Sequence, residues 1–425
     1  MSNRVAQVRP ERSPESGSRA PAATHGRKKS GDLGNGPDHG DDAVAGGQAG
    51  PVPAESEAAV SEAAESDLAG QRADASRPVI AVTGAARGLG LALTARLAQS
   101  PLVARVVAID LNRGDVSGVT WRIADVRDPA LAGRLSDVDV VVHTDVDFSP
   151  DSEARIRRAF NVRGAQTVLT AAAAGGVGRV ILVTSAMVYG ARADNAVPLP
   201  EDAPLSADSD DSVVSDLLEI EHLAERSPRA HLGLQVSVAR PAALVGDGID
   251  TLVTRHFEAP RLLAVKGCAA RWQFCHIDDL VSALELAVDG KVTGAFAVGS
   301  DGWLEQDELE EIAGLRRIEL PAGLTFATAQ RLHRAGITPA PVADLRYVVY
   351  PWVVDCKALR EAGWQPQYDN STALGVLLAQ RAGHHAVAGR RLGKKDATIT
   401  AAGATVAVIG TAAVVRQVRR RRRGT

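Results

Sequence analysis

The chain has 425 residues, of which 45% are hydrophobic and 23% charged. That is the profile of a globular protein, and it excludes a wholly disordered, collagen-like or coiled-coil chain. Lys and Arg number 48 against 51 Asp and Glu, a net charge of −3, so the chain as a whole exerts no pull toward nucleic acid and no nucleic-acid partner is expected.

Residues 1–77 contain no Phe, Trp or Tyr and are rich in Gly, Pro, Ser, Ala and charge. Such a segment buries too little apolar surface to offset its chain entropy, and it reads as disordered. From Pro78 the texture changes. Short apolar runs at 78–84, 104–110, 119–126, 137–144, 179–190 and 234–241 read as strands. Helical spacing appears at 89–100, 152–176 and 212–227. Strands that alternate with helices of this length build βαβ units around a parallel sheet. The expected fold is α/β: a Rossmann-like doubly wound parallel sheet over 78–245, then a smaller mixed α/β C-terminal lobe over 246–388. Parts of that lobe are expected to return to the main domain.

Residues 389–425 form a basic tail. Between 390 and 425 there are ten Lys and Arg and one Asp, while the rest of the chain carries 38 basic and 50 acidic residues. The run 397–415 has no charge, but it is rich in Ala and Thr and reads as a weak apolar helix. Contact of this tail with an anionic membrane surface is the partner reading it supports. Cys268, Cys275 and Cys356 lack metal-ligand spacing, so no metal site and no disulfide framework is expected. A reduced, cytoplasmic setting fits, with the tail peripheral to the inner face of the membrane.

The segment TGAARGLG (83–90) lies between a strand and a helix. Gly84 allows a sharp turn, and Gly88 and Gly90 let backbone approach a pyrophosphate at the helix N-terminus, with Arg87 and Leu89 between them. Asp110 closes the second strand, where a carboxylate accepts ribose hydroxyls and favours NAD. Arg87 and Arg113 are placed to hold a 2′-phosphate, which keeps NADP open.

Further motifs follow in order, and together they carry a resemblance. They are Ala124-Asp125-Val126, VVVHT (140–144), FNVRGAQTVLTAA (160–172), VTSAMVYG (183–190), ARPAALVGDG (239–248), FCHIDDL (274–280) and VDCKALREAGWQP (354–366). Over residues 78–385 the chain resembles the extended branch of the short-chain dehydrogenase/reductase superfamily, the NAD-dependent epimerases and dehydratases. Its glycine spacing is that of the short, single-domain members. The resemblance implies that Asp125 and Val126 meet adenine and that His143 and Asn161 lie beside the cofactor. It also implies that Ser185 is the catalytic Ser, that a nucleotide-sugar-like ligand binds, and that two chains form a homodimer.

The same resemblance demands a Tyr-x-x-x-Lys pair, the Tyr exchanging a proton with substrate and the Lys lowering its pKa. Counted from the PED turn at 200–202, the pair falls on Ser212 and Asp216. The chain has no Tyr between 190 and 346 and no Lys between 30 and 265. A serine hydroxyl cannot replace a phenol whose ordinary pKa is ~10, and Asp216 reverses the charge that would lower it. Asp145 and Asp147 stand where the family has small residues near the nicotinamide, and Asp145 is the candidate substitute base. His222 reads as a surface or packing residue, and His276 through Asp279 as a lobe junction. Two functions stay open: a cofactor-binding sensor or scaffold, and a nucleotide-sugar epimerase, dehydratase or reductase with a rearranged acid/base set.

Overall fold

The structure, a computed structural model, describes residues 77–208, 212–268, 270–335 and 341–381, with two short paired strands at 386–387 and 390–391. The expectations for residues 1–76 and for most of the tail, including 397–415, lie outside the described residues.

The first half alternates strand and helix: β1 (Val79–Thr83), α1 (Gly88–Leu97), β2 (Arg105–Asp110), β3 (Thr120–Ile123), β4 (Val140–His143), α2 (Ala154–Gly175), β5 (Arg179–Val183), α3 (Val213–Ala230) and β6 (Gln235–Pro241). There follow β7 (Ala243–Val245), α4 (Leu252–His256), β8 (Leu262–Val265), β9 (Arg271–Trp272), β10 (Phe274–His276), α5 (Ile277–Val288) and β11 (Ala295–Val298). The last part holds β12 (Leu304–Glu305), α6 (Gln306–Ala313), β13 (Arg317–Leu320), α7 (Ala322–Arg334), α8 (Lys357–Glu361) and α9 (Asn370–Arg381).

Seven strands form one parallel sheet in the order β11-β6-β5-β4-β1-β2-β3. This is the doubly wound arrangement expected from the sequence, and β11, from beyond residue 246, pairs with β6 at its edge. Helices cover both faces, so the strands are apolar on both sides. Ile80 and Val82 of β1 point to the layer holding Leu89, Leu93 and Leu97 of α1 and Leu280 and Leu284 of α5. Ala81 between them points to the layer holding Val168 and Leu169 of α2 and Leu217 and Ile220 of α3. Helix α2 stops at Gly176, whose φ of 77° supplies the left-handed cap. Helix α3 starts at Ser212, whose hydroxyl accepts the Ser215 N–H.

The strand order reverses between β1 and β4. Loops leaving two neighbouring strands in opposite directions open a crevice at their carboxyl ends. The segments that follow β1, β4, β5 and β6 all border the cavity described next. Among the described residues, no helix is long and apolar enough to cross a membrane.

Candidate functional site

A cavity of about 650 Å³ opens at this crevice. Its floor is the glycine loop. Gly84 has a φ of 71°, and a Cβ there would come within 3.0 Å of the Asp145 backbone. A Cβ on Gly90 would lie 2.1 Å from the Gly84 carbonyl oxygen and 2.7 Å from the Thr144 hydroxyl. The loop therefore closes onto α1 only because both positions lack side chains. No side chain caps the N-terminus of α1, and Gly88 and Leu89 border the cavity. First-turn N–H groups have no carbonyl partner within their own helix, so this end suits an anion such as a pyrophosphate.

Arg87, the residue at the N-cap, reaches across the loop to Asp145, with Nη2 2.7 Å from Oδ1. Asp145 is 9% exposed. Burial pushes its carboxyl up from the ordinary range, the Arg87 charge opposes that, and Asp110 and Asp125 push it further up. Asp147, two residues on, accepts from the Ser149 N–H and the Ser152 hydroxyl and serves the turn.

Other expected cofactor residues frame the cavity without bordering it. Asp110 accepts the Ala86 and Asn112 N–H groups, both at 3.1 Å, so its carboxylate braces the glycine loop. Asp125 pairs with Arg127 at 2.6 Å, and the hydrogen bond from Arg127 holds its pKa down. Arg127 in turn lies over the Phe160 ring, and both of these border the cavity. Val126 is buried in the core beside α2. His143 is buried, its Nδ1 bonded to the Thr83 hydroxyl at 2.8 Å, and desolvation pushes its pKa down to about 4. The Asn161 amide takes the Asp147 N–H at 2.8 Å and donates to the Asp147 carbonyl at 3.1 Å, pinning the loop after β4. His143 and Asn161 thus act on loop geometry from behind the wall.

Ser185 does border the cavity. Its hydroxyl donates to the Pro241 carbonyl at 3.3 Å and accepts the Met187 N–H at 3.2 Å. Beside it the Thr184 hydroxyl donates to Glu221 at 2.7 Å. Glu221 is gripped by Arg240 through two bonds of 2.9 and 2.8 Å, and Arg240 also donates to the Tyr189 hydroxyl at 2.8 Å. This buried network supports the Ser185 turn. It was not foreseen, since a Glu and an Arg nineteen residues apart read as surface charges; the signal was the placement of Glu221 on the apolar stripe of α3.

Ser212 and Asp216 do not face the cavity. Ser212 caps α3, and Asp216, 1% exposed, pairs with Arg157 at 2.9 Å and Arg158 at 3.4 Å on α2. The α3 residue that borders the cavity near Ser185 is Val213. One turn on stands Leu217, fully buried in the core, and then Glu221, at i, i+4 and i+8. Replacing Asp216 by Lys removes the carboxylate from two guanidinium groups and adds a third cation. The Asp216→Lys variant is expected to lose roughly 3–5 kcal/mol, read as a lower midpoint in urea unfolding. His222 is half exposed beside Glu219, and His276 caps α5 and stacks on Tyr368 at 3.7 Å, at the foot of the second lobe.

Comparison with known proteins fits this geometry. The sequence pattern of the NAD dependent epimerase/dehydratase family matches residues 80–299. The protein Rv0501 of Mycobacterium tuberculosis is 32% identical over 305 residues, which are 68% of this chain and 80% of that one. The 3-diazoavenalumate denitrifying reductase of a Streptomyces species is 28% identical over 231 residues, 52% of this chain and 71% of that one. The crystal structure of Bordetella bronchiseptica WbmG with NAD and UDP superposes with a TM-score of 0.53 at 22% identity, covering 72% of this chain and 94% of that one, a likeness of fold. The matched pattern runs from β1 to β11, through the glycine loop and the Ser185 turn, and covers more than half of the chain: this protein belongs to the NAD dependent epimerase/dehydratase family.

Proposed function

We propose that the chain binds NAD at the glycine loop, lacks the Tyr-Lys pair of its family's hydride transfer, and works as a cofactor-binding sensor or scaffold. The observation that carries this reading is the α3 face beside Ser185. Val213 borders the cavity and Leu217 follows one turn on. Neither side chain can hold or pass a proton. Bound NAD supplies a nicotinamide able to accept a hydride. Ser185 could orient a hydroxyl there, but its own hydroxyl is occupied by backbone groups on both sides.

Several features support NAD as the ligand. The N-terminus of α1 and the closed glycine turn suit a pyrophosphate. Asp110 and Asp125 stand at the ends of β2 and β3, on the side where the adenosine half would lie. Arg87 is engaged by Asp145, so the cation nearest the loop is not directed to a 2′-phosphate.

One observation favours a second reading. Asp145 borders the cavity with its carboxyl pushed up by burial, as a general acid or base requires. An enzyme built on it would be a rearranged epimerase, dehydratase or reductase.

Thermal unfolding with and without nucleotide, combined with a turnover assay, separates these. NAD at a hundredfold excess over its Kd should stabilise the chain by about 2.7 kcal/mol, and NADP by less. UDP-glucose and UDP-galactose added to the NAD-loaded chain should give neither product nor NADH absorbance. Turnover that Asp145→Asn abolishes would replace the first reading with the second.

A further inference from the structure

The cavity has two unlike ends. Among the described residues two cations border it, Arg87 of the glycine loop and Arg127 after β3, and each is paired, with Asp145 and Asp125. Away from those cations the lining is largely apolar, with Phe148, Ile156, Met187, Leu244, Leu252 and Trp352. Among the described residues, the other charged groups that border the cavity besides Asp145 are Asp147, Asp250 and Asp344, all acidic. The guanidinium bonded to Asp250, that of Arg255, is 2% exposed and is held by Asp250 and Asp151, each at 2.7 Å.

A sugar nucleotide carries a diphosphate. Its two negative charges need guanidinium, ammonium or several N–H donors once they leave water. The far wall offers apolar carbon, a cluster in which Asp250 and Asp151 outnumber the one guanidinium of Arg255, and Asp344, so among the described residues it brings no surplus positive charge to such a group. An uncharged ligand meets the opposite conditions. Its apolar body would displace water from Met187, Leu244 and Trp352, and hydroxyl or amide N–H groups on its edge would donate to the carboxylates.

We infer that the far half of the cavity takes a neutral, phosphate-free, largely apolar small molecule whose polar edge donates hydrogen bonds, and does not take a nucleoside diphosphate sugar. This deepens the proposed function and rests on it for the placement of NAD at the near end. Ile156 provides the handle for a test, because it borders the cavity and is 59% exposed, so a substitution there leaves the core intact.

The experiment uses the full chain with Nile red, a neutral apolar dye, and with UDP-glucose and UDP, each titrated with and without saturating NAD. A separate calorimetric titration with NAD reports on the near end alone. Nile red should bind one per chain with enhanced fluorescence, and Ile156→Lys should weaken it about tenfold. Leu244→Arg, deeper in the wall, should do the same, with circular dichroism to show that the variant folds. UDP-glucose and UDP should show no binding tighter than about 1 mM. If NAD fails to bind while Nile red behaves as described, the cofactor reading falls and the ligand class stands. Submillimolar binding of UDP-glucose or UDP overturns the ligand class, and so does Nile red binding that neither variant changes.

Discussion

Arg240→Ala should be strongly destabilising. It leaves the Glu221 carboxylate, 5% exposed, with only the Thr184 hydroxyl of its present partners. It also removes the donor to the Tyr189 hydroxyl and the guanidinium over its ring. Breaking a buried ion pair from one side costs roughly 3–5 kcal/mol, because the remaining charge stays in a medium that cannot solvate it. For a domain of this size that lowers Tm by roughly 10 °C. The paired change Arg240→Leu with Glu221→Leu should recover much of the loss, since replacing both partners leaves no orphaned charge. Differential scanning calorimetry of the three variants checks both statements. A small loss for Arg240→Ala would mean that water reaches Glu221 and that the network is not the support of the Ser185 turn.

The second large effect concerns the affinity for NAD and its pH dependence. Asp145 lies against the Gly84 turn, where a pyrophosphate would sit, and Arg87 is tied to it. Two like charges about 8 Å apart repel by about 2 kcal/mol at an effective dielectric constant of 20. The Asp145→Asn change removes that repulsion and frees Arg87 to meet the phosphates, so NAD affinity should rise at least about tenfold at pH 8. The sign with pH follows. Burial already raises this carboxyl above its unfolded value, and a bound pyrophosphate raises it further. NAD binding by the native chain therefore takes up a proton, and affinity should increase as pH falls through the raised pKa. The Asn variant should lack that slope. Stability obeys the same rule: a carboxyl whose pKa is raised by folding is destabilising once ionised, so its contribution worsens as pH climbs above the ordinary carboxylate range. Calorimetric titrations at pH 5, 6.5 and 8 test this, and a pH-independent affinity shared by both proteins would contradict it.

The fold was legible because its signals are local. The apolar runs ending at Thr83, Asp110 and His143 are bounded by turns, and the helices between them carry continuous apolar stripes. The glycine loop was legible for the same reason, since the strand before it and the helix after it are both written within twenty residues. What escaped was orientation. The pair expected at Ser212 and Asp216 was placed by counting across an acidic loop with no Tyr or Lys to anchor the register. A one-residue offset on a helix turns a side chain by about 100°. That is the difference between Asp216, which meets Arg157 on α2, and Leu217, which lies in the core. The Asp110 carboxylate, the His143 Nδ1 and the Asn161 amide are taken up by loop backbone or by a strand neighbour. Apart from the Asn112 N–H on Asp110, those partners lie 14 to 60 residues away, so no local spacing announces them. The pairing of Arg255 was not foreseen either, since it counts as positive in a sequence and is neutralised only where Asp151 and Asp250 converge.

The central claim is that this crevice holds a dinucleotide beside an α3 face unable to relay protons. Isothermal titration of the full chain with NAD tests its first half most directly. The account predicts a single saturable site with one NAD per chain, tighter than for NADP. A flat titration with both nucleotides would contradict it, and would mean that the Arg87–Asp145 pair closes the glycine loop to phosphate.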